Sequence, residues 1–425
     1  MATPASTPTI PTRPGPATRQ GVTLLIAILG AETAIGPLAT DMYVPGFPAI
    51  GTSVRTGSSA IQLTMTAFLV GLVLGQLLIG PISDGIGRRR LLIAGALGFA
   101  LCSGLCALAP TVHLLIAGRF LQGMAGAVGM VLARAIIADR FSGADIPRHN
   151  AVLAQILGIA PICAPVIGGV MLAQTGWRAI FVLLAGIGVL LTGAVLAKVP
   201  ESLPVERRQK GGLAAPFRAM AALLANRPFM GYVLALGFSA AAMFTYIGAS
   251  SFIFENLHGV SSGLYSVIFA SNAIGMLIAG GLFGRLCRRV RMNHLLVAGM
   301  AIACLGAVAQ LVVHALAGET LAGTWICLFV TMSGVGMVFP AAISLSQAVA
   351  RDAPGAASAL IGGSQFLFGA LASPITGLFG TASSVPMAVT MLVAILAGMG
   401  LLAVLARPWE GHGEFIVLTP AAALE

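Results

Sequence analysis

Gly80-Pro81-Ile82-Ser83-Asp84-Gly85-Ile86-Gly87-Arg88-Arg89-Arg90 joins two apolar stretches, residues 61–79 and 91–108. Each stretch is close to the roughly 20 apolar residues a helix needs to cross a bilayer. Charged groups and irregular backbone are too costly in hydrocarbon, so this glycine-rich, triply basic connection lies at a membrane surface. Gly80, Gly85 and Gly87 allow tight turning and close helix approach. Asp84 is placed to cap a helix or pair with a cation, and Arg88, Arg89 and Arg90 hold the connection on the cytoplasmic side.

The rest of the composition agrees. Of 425 residues, 58% are hydrophobic and only 8% charged, and mean hydropathy is +0.98. A soluble domain carries about a quarter of its residues charged. The fold class read from this is an all-α polytopic membrane protein. The net charge of +10 does not point to nucleic acid, because the basic residues sit in short connections between apolar stretches and not on one face. Cys102, Cys106, Cys163, Cys304 and Cys327 fall within apolar stretches, Cys287 outside them. They read as small buried hydrophobes, neither a disulfide set nor a metal site. Neither lysine, Lys198 or Lys210, lies in a phosphate-binding loop, so ATP hydrolysis within this chain has no support.

Twelve spans are expected, at about 21–45, 58–81, 89–109, 112–140, 147–174, 177–199, 229–255, 262–284, 292–316, 320–350, 354–380 and 384–406. The expected organisation is a cytoplasmic tail at 1–20, a six-helix half at 21–199, a cytoplasmic linker at 200–228, a second half at 229–407, and a tail at 408–425 ending in a vector-like scar. A surface helix is expected near 214–225, in the linker. Arg88–Arg90, Arg140, Arg148, the linker, Arg285, Arg288, Arg289, Arg291, Arg351 and Arg407 fall on one side; only Arg55 and Arg178 fall on the other. The rich side is expected to be cytoplasmic, with both termini there. Gly281-x-x-Gly284-Arg285-x-x-Arg288-Arg289 is a weaker echo of the opening motif at the corresponding place in the second half, as internal duplication produces.

Ionisable residues inside spans are functional candidates by default. Span one holds Glu32 and Asp41, and span four Arg119 and Arg134. At about 1.5 Å per residue, Asp41 and Arg119 come to similar depth, near enough to pair or to share a water-filled cavity, with Gln122 one turn on. Arg134 lies towards the inner side. Pro37 and Pro45 predict irregularity in span one. A carboxyl subject to both burial and a neighbouring arginine feels opposed influences on its proton affinity, and can bind and release a proton as its surroundings change. In span five, Gly158, Pro161, Pro165, Gly168 and Gly169 form one narrow face for close helix packing.

Taken in order, Thr40-Asp41-Met42-Tyr43-Val44-Pro45, the 80–90 loop, Gly118-Arg119-Phe120-Leu121-Gln122-Gly123 with Ala133-Arg134, and the span-five run with Gly176-Trp177-Arg178 resemble the major facilitator superfamily. The likeness is strongest to its twelve-span drug–proton antiporters, and among them to bicyclomycin and chloramphenicol exporters. The resemblance implies a major facilitator fold and proton-coupled export of small amphipathic drugs across a bacterial inner membrane by a monomer. It implies no cofactor beyond the coupling proton, no metal, no nucleic acid and no enzymatic activity; partners are drugs, protons and lipid. It maps the family's functional residues onto Asp41, Asp84, Arg88, Arg89, Arg119 and Gln122; with these, the proton-coupling candidates are Asp41, Glu32, Arg119 and Gln122, and the cytoplasmic-gate candidates Gly80, Asp84, Gly87, Arg88, Arg89 and Arg134. It likens the span-five residues to the antiporter motif that seals a leak path. A second acid used by some relatives for cationic drugs would fall at Thr33, one residue after Glu32, which leaves cation preference open. Candidate substrate contacts are Met65, Phe68, Phe238, Phe244, Tyr246, Asn272, Phe339, Gln365 and Phe366, whose types suit a permissive apolar pocket. A metabolite or sugar exporter of the same fold is the alternative; a non-transporting sensor or membrane enzyme has no motif in its favour.

Overall fold

The computed structural model describes residues 19–141, 145–205, 208, 214–379 and 383–414. Most of the expected tails, and Glu206, Arg207 and Lys210 of the linker, lie outside them. The described residues are mostly helical, without a strand, and include twelve helices long and apolar enough to cross a membrane. Spans 1 to 6 are Gln20–Ser53, Ser58–Ile86, Arg88–Ala107, Val112–Arg140, Arg148–Thr175 and Trp177–Lys198. Spans 7 to 12 are Arg227–Leu257, Ser262–Leu286, Met292–Ala317, Leu321–Val349, Pro354–Leu378 and Val385–Ala406.

The pairings in the first six spans recur in the second six. Span 4 packs on spans 1, 2 and 3, and span 10 on spans 7, 8 and 9; spans 1 and 5 pair as do 7 and 11, and spans 3 and 6 as do 9 and 12. The two sets meet through spans 2 and 11 and spans 5 and 8. Large apolar side chains are left exposed on spans 3, 6, 9 and 12, among them Leu101, Leu190, Leu305 and Val393. Such surface suits hydrocarbon, where helices associate through close packing rather than water exclusion.

Small residues set that packing. A Cβ on Gly123 of span 4 would collide with the backbone of Phe68 in span 2, and one on Gly71 of span 2 with the backbone of Phe120 in span 4. Gly281 and Gly284, the echo of the opening loop, have no neighbour so placed, so the echo marks a repeat in sequence and not a second close contact.

Span 1 is not one straight helix. It continues through Pro37 to Asp41, breaks, passes a 3-10 turn at Val44–Gly46 and resumes at Phe47–Ser53. Pro45 has no N–H to offer the Asp41 carbonyl, so the first segment ends there. This corrects the expected end near 45: the span includes a second short helix. The surface helix of the linker is present at Ala214–Leu224, and Met220 is buried beneath it.

Polar contacts between the two sets gather at the end away from the arginines. From span 2, Ser59 donates to the Gly377 carbonyl (2.7 Å), Gln62 to the Gly248 carbonyl (3.1 Å), and Thr66 to the Ala370 carbonyl (3.2 Å). Gln62 also accepts from the Gly377 N–H at 2.9 Å. The Phe47 and Phe252 rings, 5.9 Å apart, meet across the same seam. The structure is therefore closed at the arginine-poor end.

Candidate functional site

Asp41 is the last residue of the first helical segment and is only 5% exposed. Its carboxylate makes no hydrogen bond or ion pair with any other described residue. It lies within electrostatic reach of Tyr246 of span 7 and Tyr265 of span 8, so this acid of the first six spans faces the second six. Tyr246 is fixed there by Asn272, whose amide donates to its hydroxyl at 2.9 Å, and by stacking on Phe269 at 5.3 Å.

Arg119 does not pair with Asp41, which corrects the closer of the two arrangements expected from depth. The break after Asp41 turns Tyr43 towards span 4, and the guanidinium lies 4.7 Å from its ring, 4.1 Å from Phe68 and 5.8 Å from Phe181. Aromatic faces attract a cation that has left water. Arg119 is fully buried and donates to Gln122 at 2.6 Å; Gln122 donates to Ser103 at 2.7 Å. Tyr43 and Thr64 share a hydrogen bond of 2.6 Å. The arginine is thus held by rings and an amide, and its Nε and second amino nitrogen have no hydrogen-bond partner.

Glu32 faces span 4 at another level. It is 1% exposed, its Oε1 has no partner, and a Cβ on Gly129 would come within 2.8 Å of its Oε2. Gly129 therefore provides the room for this acid. Span 1 carries two buried carboxyls without a paired cation, on separate faces.

At the arginine-rich end, Arg88 pairs with Asp84 at 2.7 Å and Asp139 at 3.2 Å, and donates to Ser83. Glu201, just past span 6, accepts the backbone N–H of Arg88 (2.9 Å) and Arg89 (3.3 Å). Ser202 donates to Asp139 at 2.9 Å, and Arg89 to the Leu196 carbonyl at 2.7 Å. Gly87 has φ +101°, a region glycine adopts freely, and a side chain there would meet Glu201. Gly80 has open space beside it, and Arg134 is exposed, outside this cluster. Sequence reasoning did not assign Asp139, Glu201 or Ser202 to the cluster. The available signal was the Pro200-Glu201 pair directly after an apolar span.

The span-five face does two jobs. Gly168 packs on the backbone of Met42 beside the span 1 break; Gly158 meets Leu277 and Gly169 meets Ser266, both of span 8. The helix runs through Pro161 and Pro165. Of the candidate substrate contacts, Met65 and Phe68 are fully buried inside the first six spans. Phe238 and Phe244 pack against span 11, with ring distances of 4.7 Å to Phe368 and 6.1 Å to Phe366, and Phe339 is partly buried. Gln365 donates to its own helix at the Ile361 carbonyl, 3.2 Å.

A twelve-span helical protein built of two similar six-span sets, with a lone acid buried where they meet, has the plan of a membrane transporter. The family model described as Major Facilitator Superfamily matches residues 33–374, and the chain belongs to that family. It is 35% identical over 376 residues to the uncharacterized MFS-type transporter YdgK of Bacillus subtilis, covering 88% of this chain and 93% of the relative. It is 28% identical over 393 residues to the bicyclomycin resistance protein homolog of Haemophilus influenzae, covering 88% and 95%. Among solved structures it superposes, with TM-score 0.72 at 16% identity and 95% coverage of this chain, on a bacterial homolog of the human lysosomal transporter Spinster in an inward-facing, unoccupied conformation. That likeness shows the fold.

Proposed function

We propose that this protein is a proton-coupled antiporter that exports small amphipathic drugs across a bacterial inner membrane. The observation that carries the reading is Asp41: a buried carboxyl on the first six spans, without a cation partner, set against Tyr246 of the second six. An acid so placed can hold a proton in one arrangement of the halves and release it in the other, which ties proton movement to their rocking. The motif resemblance and the relative named for bicyclomycin resistance support drugs as the substrate class. Under this reading the arginine-rich end is cytoplasmic, both termini lie inside, and the chain works as a monomer in lipid without a cofactor other than the proton. The division at residues 200–228 separates the rocking halves. Arg119 and Gln122 keep the surroundings of the coupling acid fixed, Glu32 is a second candidate acid on another face of span 1, and the Asp84–Arg88 cluster with Arg89 forms the cytoplasmic gate.

The test is accumulation of chloramphenicol in proteoliposomes with an acidic lumen, comparing wild type with Asp41→Asn. Gradient-driven accumulation lost in the variant, with binding retained, supports the reading. Full gradient-driven accumulation by the variant removes the role from Asp41. Wild type that moves neither chloramphenicol nor a lipophilic cation overturns drug export and favours a metabolite.

A further inference from the structure

The facing sides of spans 7 and 8 carry three hydrogen bonds, stacked one above another. Asn272 donates to the Tyr246 hydroxyl at 2.9 Å, Ser250 and Tyr265 share a bond of 2.8 Å, and Ser262 donates to Glu255 at 2.7 Å. On span 8, residues 262, 265, 269 and 272 recur every three or four positions, which is one helical face. On span 7, Tyr246 and Ser250 are four apart, and a regular helix would next present residue 254. The π-helical turn at Phe252–Leu257 accommodates one extra residue, a device frequent at functional sites, and Glu255 comes onto the row instead. The Tyr246 rung lies within electrostatic reach of Asp41, and the Glu255 rung is the one nearest the arginine-poor end of the protein.

The rungs are not packing alone. Glu255 is only partly buried, yet its Oε1 is enclosed without a hydrogen-bond partner, as is Asn272 Oδ1. Asn272 occupies the Tyr246 oxygen as a donor, so the tyrosine's own proton is free to be offered elsewhere. Tyr265 lies within electrostatic reach of both Asp41 and Glu255. The titratable groups beside Glu255 are His258 on its own element and Tyr265 on span 8; the helix Phe47–Ser53 packed against that turn, and span 5 at Gly169, bring none.

We propose that this ladder is the proton path between Asp41 and the water at the arginine-poor end, with Glu255 as its outermost proton acceptor. The inference rests on the proton-coupled reading above. A proton from that water binds a Glu255 carboxylate oxygen. It is relayed through the hydroxyls of Tyr265, Ser250 and Tyr246, each accepting one proton as it gives up another, and ends on the Asp41 carboxylate. Along span 8 the successive rungs are about 4.5 Å and about 10 Å apart, so passage across the wider gap needs water between them. The Phe47–Phe252 seam beside the ladder excludes that water in this closed arrangement and admits it when the end opens.

The experiment uses purified full-length protein in proteoliposomes with chloramphenicol as probe, comparing wild type, Glu255→Gln, Glu255→Asp and Tyr265→Phe. Two rates are read: accumulation driven by an acidic lumen, and counterflow exchange, which needs no net proton movement. We expect Glu255→Gln to lower gradient-driven accumulation about tenfold and counterflow less than twofold, Glu255→Asp to recover at least half, and Tyr265→Phe to fall between. Accumulation by Glu255→Gln within twofold of wild type, or a parallel fall in both rates, overturns the path. If Glu255→Gln does not fold, Tyr265→Phe decides by the same two criteria. Wild type that exchanges chloramphenicol in counterflow yet shows no gradient-driven accumulation overturns the coupling reading itself, and the path with it; wild type that does neither overturns chloramphenicol export.

Discussion

Glu201 accepts the backbone N–H of Arg88 at 2.9 Å, so the chain leaving span 6 closes the first turn of span 3. The second six spans repeat the device: Glu414, past span 12, accepts the N–H of Asn293 at 2.8 Å and of Met292 at 3.1 Å in the first turn of span 9. Free N–H groups at a helix start favour an anionic acceptor. Losing such a cap costs about 1–2 kcal/mol. Glu201→Ala and Glu414→Ala should each lower thermal stability in detergent, and the double variant should show nearly the sum, since the sites share no partner. No shift in either single variant refutes the capping role.

Arg119 stands between three rings and Gln122. Lysine keeps the charge but neither the planar face for stacking nor the fork that reaches an amide. Arg119→Lys should be destabilised by about 1–3 kcal/mol, and Gln122→Leu by a similar amount. A lysine variant as stable as wild type would show that charge alone is needed.

Gly123 and Gly104 make a paired test of close packing. A Cβ on Gly123 would collide with the Phe68 backbone, whereas Gly104 has nothing within reach of one. Overpacking against rigid backbone costs about 1–3 kcal/mol or more. Gly123→Ala should therefore lose most folded protein by size-exclusion monodispersity, and Gly104→Ala should match wild type. Equal behaviour of the two would contradict the span 2–span 4 geometry.

Gln62 reaches into the opposite set and bonds to both Gly248 and Gly377. Its removal together with Ser59 should favour opening at the arginine-poor end. In a cysteine-free background, Gln62→Ala with Ser59→Ala should raise maleimide labelling of a cysteine at Ser250 severalfold. Unchanged labelling would mean that the aromatic seam alone holds the end shut.

Glu319, between spans 9 and 10, answers to pH. Burial pushes its carboxyl up, but the Ser384 backbone N–H, the Ser383 and Ser384 hydroxyls and His314 outweigh that and hold it below the ordinary glutamate value. A group depressed in the folded state contributes stability above its unfolded value, near pH 4.3, and loses it as pH falls through the lowered one. The melting difference between wild type and Glu319→Gln should shrink as pH falls below about 4. A difference that grows below about pH 4 would reverse the assignment.

The sequence by itself determined the membrane class, the twelve spans and the family, because bilayer thickness and the cost of charge in hydrocarbon act on local composition. Residues 80–90 show this: apolar length on both sides and arginines between them leave few alternatives. The acids of span 1 were legible for the same reason. What those acids face was decided only by tertiary structure. Asp41 and Arg119 lie at compatible depths, yet Pro45 ends the helix at Asp41 and turns Tyr43 to the arginine, leaving the acid to Tyr246 more than two hundred residues away. Depth follows from counting residues along one helix; direction depends on how a break rotates the chain and on which helix packs against it. Glu201 and the span 7–span 8 ladder were hidden likewise, since a cap or a relay exists only once distant segments lie side by side.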